Sequence, residues 1–163
     1  MRILGIDPGY AIVGYGLIQY ERRCRAIGYG VIRTDSGMEF NSRLEYIYDA
    51  VTALLKKSSP DALSIEKLYF QNNQKTAINV AEARGVILLA AMKAGVEIFE
   101  YTPLQVKLAI TGYGKAQKSQ IIAVTQKLLG LDTPPKPDDA ADALGMAICH
   151  GRIKGNLKLK IEN

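Results

Sequence analysis

Residues 2–33, RILGIDPGYAIVGYGLIQYERRCRAIGYGVIR, decide the fold. RILGID (2–7) reads as a buried strand that ends on an acid. AIVGYGLIQY (11–20) and CRAIGYGVIR (24–33) are two further β-rich runs, split by the polar turn Glu21-Arg22-Arg23. Three such runs in succession predict an antiparallel meander.

Beyond the meander the period changes. Leu44, Ile47, Tyr48, Val51, Leu54 and Leu55 fall at helical spacing across 39–57, with polar residues on the opposite face. Ser58-Ser59-Pro60-Asp61 breaks that helix, and ALSIE (62–66) is a short strand that again ends on an acid. KLYFQNNQK (67–75) has no period and reads as a loop. A small-residue-rich helix over about 76–94, a strand at 96–101, a short helix from Pro103 to Ile110 and a helix at 118–130 follow. Pro134, Pro135 and Pro137 delay a last helix to about 138–151, after which 152–163 reads as a basic, loose tail. A meander followed by alternating helices and strands predicts an α/β domain, a sheet sandwiched by helices, over residues 1–151. No repeat or linker divides it.

With 163 residues the chain has the size of one domain, and its 48% hydrophobic and 23% charged residues are those of an ordinary globular protein. The net charge of +5 suits solubility and equally suits a polyanionic partner. Cys24 and Cys149 form no C-x-x-C pair, so neither a zinc site nor a redox motif is readable, and each is expected to be a buried thiol. No apolar run approaches the ~20 residues of a membrane span. MRILGID lacks the features of a signal peptide, so the expected compartment is the cytoplasm, with no membrane contact.

The chemical signal is where the acids fall. Asp7 and Glu66 end two strands, after Gly5-Ile6 and Ser64-Ile65. In open α/β sheets ligands collect beyond the carboxyl ends of strands. A third group lies in Asp138-Asp139-Ala140-Ala141-Asp142-Ala143-Leu144. Asp139 and Asp142 share a helix face by i, i+3, and Asp138 and Asp142 share one by i, i+4, so spacing alone does not choose between them. The alanines let this helix lie close to the sheet. Asp138, after Pro137 at the helix start, suits a dipole-stabilising role, whereas Asp142 lies a turn further in, where that benefit fades. Carboxylates gathered in one crevice repel unless a cation sits between them, and hard oxygen donors favour Mg²⁺ or Mn²⁺. A pair of such ions supports phosphodiester hydrolysis. There is no serine–histidine system; His150, the only histidine, reads as a helix-end cap or surface residue.

Tyr69 and Phe70 sit in a polar loop, among Gln71, Asn72, Asn73, Gln74 and Lys75. They either anchor that loop to the core or stack on an unpaired base. Lys107, Lys115 and Lys118 flank the Gly112-Tyr113-Gly114 loop, which suits phosphate contact. This is not a Walker A loop, since no Ser or Thr follows Lys115.

GIDPG (5–9), SIEKLYF (64–70), ARG (83–85), QVK (105–107), QKSQ (117–120) and DAADAL (139–144) resemble, in order and spacing, the RuvC family of Holliday junction resolvases. The resemblance runs from residue 2 to about 151. It implies a ribonuclease-H-like fold with a mixed five-stranded sheet flanked by helices. It also implies a homodimer that requires Mg²⁺, as two ions, or Mn²⁺ in its place, with the small residues Ala81, Ala83, Gly85, Ala90 and Ala91 of the helix at 76–94 as its expected contact face. Carried over residue by residue, the four catalytic and metal-holding acids are Asp7, Glu66, Asp139 and Asp142, which selects Asp139 over Asp138. Some members carry histidine at the third position; this chain keeps Asp139. The junction-probing aromatic falls on Tyr69, with Phe70 beside it, and Lys107 and Lys118 match basic positions near the active site. With Lys75 and Lys115 they complete the expected DNA contacts. The implied activity is crossover junction endodeoxyribonuclease, acting on four-way DNA in recombination and repair beside the RuvA–RuvB branch-migration complex. The alternative is a nuclease of the same fold acting on structured RNA. A kinase-like ATPase would need a second lobe, and a non-catalytic nucleic-acid-binding module has no use for four convergent acids.

Overall fold

The meander forms as expected in the computed structural model, which describes the backbone of residues 1–68 and 74–161 and the side chains of residues 1–68 and 76–155. Strands β1 (Arg2–Asp7), β2 (Ile12–Tyr20) and β3 (Cys24–Arg33) pair antiparallel, with Gly5 opposite Gly16 and Asp7 opposite Gly14. Helix α1 (Phe40–Ser58) crosses over to β4 (Ala62–Glu66), which lies parallel to β1 with Ile6 opposite Ile65. Helix α2 (Gln74–Lys93) leads to β5 (Glu97–Tyr101), parallel to β4 with Glu66 opposite Tyr101. The mixed sheet runs β3-β2-β1-β4-β5. Three helices follow: α3 (Pro103–Thr111), α4 (Lys118–Leu129) and α5 (Asp138–Ile161).

Strand alternation divides the sheet into two faces. Leu4, Ile6, Val13, Leu63 and Ile65 meet Ile47, Val51, Leu55 and Ile87 from α1 and α2. Ile3 and Ile18 meet Leu144 and Ile148 of α5, Ile110 of α3 and Leu129 of α4. Asp7 lies two and four residues from Gly5 and Ile3, so it belongs to the second face; Glu66 follows Ser64, whose hydroxyl donates to the Met146 carbonyl at 2.7 Å. Both acids therefore face α5.

The helix ends are set locally. Thr102 and Gln105 form a capping box with Pro103 in the first turn of α3. Gly112 and Gly130 end α3 and α4 at φ 73° and 64°, a left-handed conformation that costs glycine little.

Two expectations need correction. The last helix does not end near 151; its backbone continues to Ile161. Gly151 looks like a stop but is a packing position, where a Cβ would strike the Tyr20 ring. Arg152 is helical and donates to the carbonyls of Ala109 and Ile110 at 2.7 and 3.4 Å. Of the two cysteines, Cys149 is buried but Cys24 is only half-buried.

Candidate active site

Glycines bring α5 onto the sheet. A Cβ at Gly5 would strike the Ala143 carbonyl, and one at Gly14 would strike the Asp139 carbonyl. One at Gly16 would lie 2.8 Å from Leu144. These three residues line up on neighbouring strands and receive Ala140, Ala143 and Ala147, which are fully buried. The first turns of α5 consequently sit beside the end of β1, backbone against backbone.

The consequence appears at Asp7. Burial, followed by the charges of Asp142, Glu66 and Asp139, raises its carboxyl to about 7; the ammonium of Lys118 only partly opposes this. Glu66 is also raised, by burial and then by Asp142. Asp7, Glu66 and Asp142 share a cleft of about 180 Å³ with Lys107, between Val106 and Ile121. A more open groove of about 750 Å³, lined by Lys67, Leu68 and Gln105, begins at Glu66. Lys118 reaches across from α4, its Nζ 3.0 Å from Asp142 Oδ2 and 3.3 Å from Asp138 Oδ2. Burial lowers its affinity for a proton, but the bonds to Asp142 and Asp138 outweigh that and hold it raised.

Asp7, Glu66, Asp139 and Asp142 thus come into one electrostatic neighbourhood from three elements. Asp138 has a side chain 66% exposed and is not among the charges acting on Asp7. Lys107 lines the cleft, Lys118 is paired with its acids, and Lys115 is exposed on the loop after α3. Tyr69, Phe70 and the side chain of Lys75 lie outside the described residues.

His150 is neither a cap nor a surface residue. It is 1% exposed, shares a 2.7 Å hydrogen bond with the Tyr101 hydroxyl through Nδ1, and packs on Phe99 with ring centroids 4.2 Å apart. Burial, and then Lys154, lower it to about 4, so it is neutral near pH 7. Sequence reasoning also missed the glycine patch and Arg84, whose side chain bonds the Glu66 carbonyl. Glycine at alternate strand positions, as at 14 and 16, is the signal that would have pointed to a close backbone approach.

Asp7 gives the metal-free chain a distinctive pH response. Between about pH 4 and 7 the folded chain keeps a proton that the unfolded chain has released, so stability falls as pH rises through that window. His150, depressed in the folded state, acts in the opposite direction, its contribution falling away as pH drops from about 6.5 towards 4. The Asp7 share is therefore read as a difference. The melting temperature of the wild type minus that of Asp7→Asn should fall from pH 5 and level off above about pH 7 without metal, and Mg²⁺ should reverse the fall. A difference that is flat with pH would show that Asp7 titrates normally.

The family model for crossover junction endodeoxyribonuclease RuvC matches residues 3–150. The chain is 51% identical over 160 residues to the crossover junction endodeoxyribonuclease RuvC of Brevibacillus brevis, covering 98% of this chain and 96% of that one. Among solved structures it is similar to Thermus thermophilus RuvC, with a TM-score of 0.89 and 32% identity over 96% of each chain. T. thermophilus RuvC in complex with Holliday junction substrate gives a TM-score of 0.88 and 30% identity, again over 96% of each. These likenesses bear out the ribonuclease-H-like mixed sheet.

Proposed function

The chain belongs to the RuvC family of crossover junction endodeoxyribonucleases and resolves Holliday junctions, and we propose that it does so by paired symmetric nicks made at Asp7, Glu66, Asp139 and Asp142. The observation that carries this reading is the convergence on the buried Asp7 of three further carboxylates from β4 and α5; burial first, and then their charges, raise it to about 7. The family is metal-dependent, and the donor set here is all oxygen, the set that Mg²⁺ or Mn²⁺ takes. Among the described residues no three such side chains are already closed to ligand distance, as expected where like charges meet with only Lys118 to offset them. Two bound ions would activate the attacking water and stabilise the leaving oxygen.

The chain's own residues do the rest. The four carboxylates would hold the cations, and the cleft lined by Asp7, Glu66 and Asp142 would receive the scissile phosphate. Lys107 lies in the cleft and Lys118 at its rim, where each meets the phosphate backbone, and Lys115 and Lys75 are further DNA contacts. Tyr69, with Phe70, stacks on a base unpaired at the crossover. The half-buried apolar walls Val106 and Ile121 limit the room for water. The RNA-directed alternative has no support in these likenesses, whose names specify crossover junctions and endodeoxyribonucleases. Incubation with Mg²⁺ and either a four-way DNA junction or a branched RNA tests the reading: symmetric DNA nicks are expected, and cleavage of the RNA alone would overturn it.

The protein works as a two-fold dimer, since one chain carries one site and a junction has two strands to cut. The expectation that Ala81, Ala83, Gly85, Ala90 and Ala91 form the contact face is revised, because Ala83, Ala90 and Ala91 are buried in the chain's own core. The outward stripe of α2 is instead Ile78, Glu82, Gly85, Leu89 and Met92, at steps of four and three. Ile78, Leu89 and Met92 are 57%, 52% and 66% exposed, an apolar seam suited to a second copy of the helix. The double variant Leu89→Asp, Met92→Asp should sediment as a monomer and lose coupling between its two nicks; a dimer of unchanged mass would place the interface elsewhere. Among the described residues no helix is long and apolar enough to cross a membrane. The cytoplasm, with the RuvA–RuvB complex as partner, is the setting that family membership favours.

A further inference from the structure

We infer that Arg84, seated on α2 behind the acid cluster, is a positioning residue that aims Glu66 at the metal; the inference rests on the metal-holding role proposed for Glu66. Arg84 is 9% exposed, an unusual burial for a guanidinium. Its Nε donates to the Glu66 backbone carbonyl at 3.1 Å, and its Nη2 donates to Glu100 Oε2 at 2.7 Å. One planar group therefore ties the last peptide of β4 to β5 and both to α2. A buried guanidinium is destabilising unless its donors find acceptors, so this arrangement is held tightly.

Glu66 needs such a tie. Pairing of β4 with β1 ends at Ile65, opposite Ile6, and pairing with β5 ends at Glu66 itself, opposite Tyr101. Lys67 donates to the Tyr101 carbonyl at 2.9 Å, and the chain then leaves the sheet. Without Arg84 the peptide joining Glu66 to Lys67 is held only through its N–H, and it can pivot about that bond at the strand end, shifting the Glu66 Cα–Cβ direction. Arg84 touches the carbonyl and not the carboxylate, so it orients the acid without neutralising it. Glu100, opposite Ile65 on β5, accepts from the other end of the guanidinium and so helps to set its plane.

The test uses full-length protein and Mn²⁺ without DNA, with binding followed by electron paramagnetic resonance and stability followed by thermal melting. Outer partners of a ligand tune metal affinity by about 10–100-fold. Arg84→Met should weaken Mn²⁺ binding at least about 10-fold. Arg84→Lys keeps the charge but cannot span both acceptors, and should fall between Met and wild type. Glu100→Gln should weaken binding in the same direction by a smaller factor. If Arg84→Met does not fold, the Lys and Gln variants decide. Wild-type Mn²⁺ affinity in every folded variant, even with lowered melting temperatures, would make Arg84 a packing residue and overturn the inference. A wild type that binds Mn²⁺ but leaves junctions uncut would instead overturn the proposed function and leave Arg84 standing.

Discussion

Asp7→Asn, Glu66→Gln and Asp142→Asn should each slow junction cleavage by on the order of 10³-fold or more, about 4 kcal/mol of transition-state stabilisation. Binding of the uncut junction should survive and even tighten. Each substitution removes a negative charge from a cleft that must admit a phosphate, while Lys107 and Lys118 remain. The fold should tolerate all three. Asp7 is under repulsion and desolvation in the metal-free chain, so its amide should raise the melting temperature near neutral pH. Asp142→Asn keeps an oxygen near Lys118 but gives up an ion pair whose partners are 51% and 40% exposed, worth little in such solvent. Asp138→Asn is the control. It shares the same lysine yet does not act on Asp7, so it should cost no more than about 1 kcal/mol of helix-end stabilisation and leave cleavage within a few-fold of wild type. Single-turnover cleavage beside binding in Ca²⁺ measures both quantities. Equal losses at Asp138 and Asp139 would assign the helical acid to the wrong residue.

Gly14→Ala and Gly5→Ala should damage stability and activity together, although a single methyl is added. At both positions the new Cβ meets a backbone carbonyl of α5, that of Asp139 for Gly14 and of Ala143 for Gly5. A side chain could turn aside, but a helix backbone yields only by lifting as a body. The expected loss is about 3 kcal/mol or more, or roughly 6–12 °C in melting temperature for a domain of this size. Molecules that remain folded should also cleave poorly, because lifting α5 carries Asp139 and Asp142 away from Asp7. A displacement of about 1 Å costs on the order of 10²-fold in rate. Gly28→Ala is the matched control: it is also a strand glycine, but nothing lies within 4 Å of its added Cβ, and its melting temperature should change little. If Gly14→Ala melted and cleaved like wild type, the close seat of α5 on the sheet would be incorrect.

These two expectations draw on different layers of information. Asp7 and Glu66 were legible from sequence, because a buried strand run that ends on an acid delivers that acid to the rim of the sheet. The i, i+3 and i, i+4 pairs around Asp142 were legible as well, but they left Asp138 and Asp139 equivalent until the resemblance to a family separated them. The structure offers an independent reason in the charges that act on Asp7. Interior helices were less readable on their inner faces. Small residues in α2 looked like a contact seam, yet Ala83, Ala90 and Ala91 pack inward while Ile78, Leu89 and Met92 face out. Apolar character on both sides of a helix hides which side meets its own sheet.

Local patterning by itself determined the element order, the antiparallel start, the acids at two strand ends and the oxygen-rich chemistry of the site. Those features depend on neighbours within a few residues, where alternation, helical period and turn residues act directly. Only the tertiary structure decided that Gly5, Gly14 and Gly16 form one seat for α5, that His150 is a buried neutral partner of Tyr101, that the last helix passes Gly151, and that Arg84 reaches Glu66. Each of these joins residues far apart in the chain through a distance of a few ångströms. A glycine, a histidine or an arginine has the same local signature whether it is exposed or pressed against a distant backbone. The sheet register and the approach of α5 choose between those fates, and both come from the packing of the whole domain.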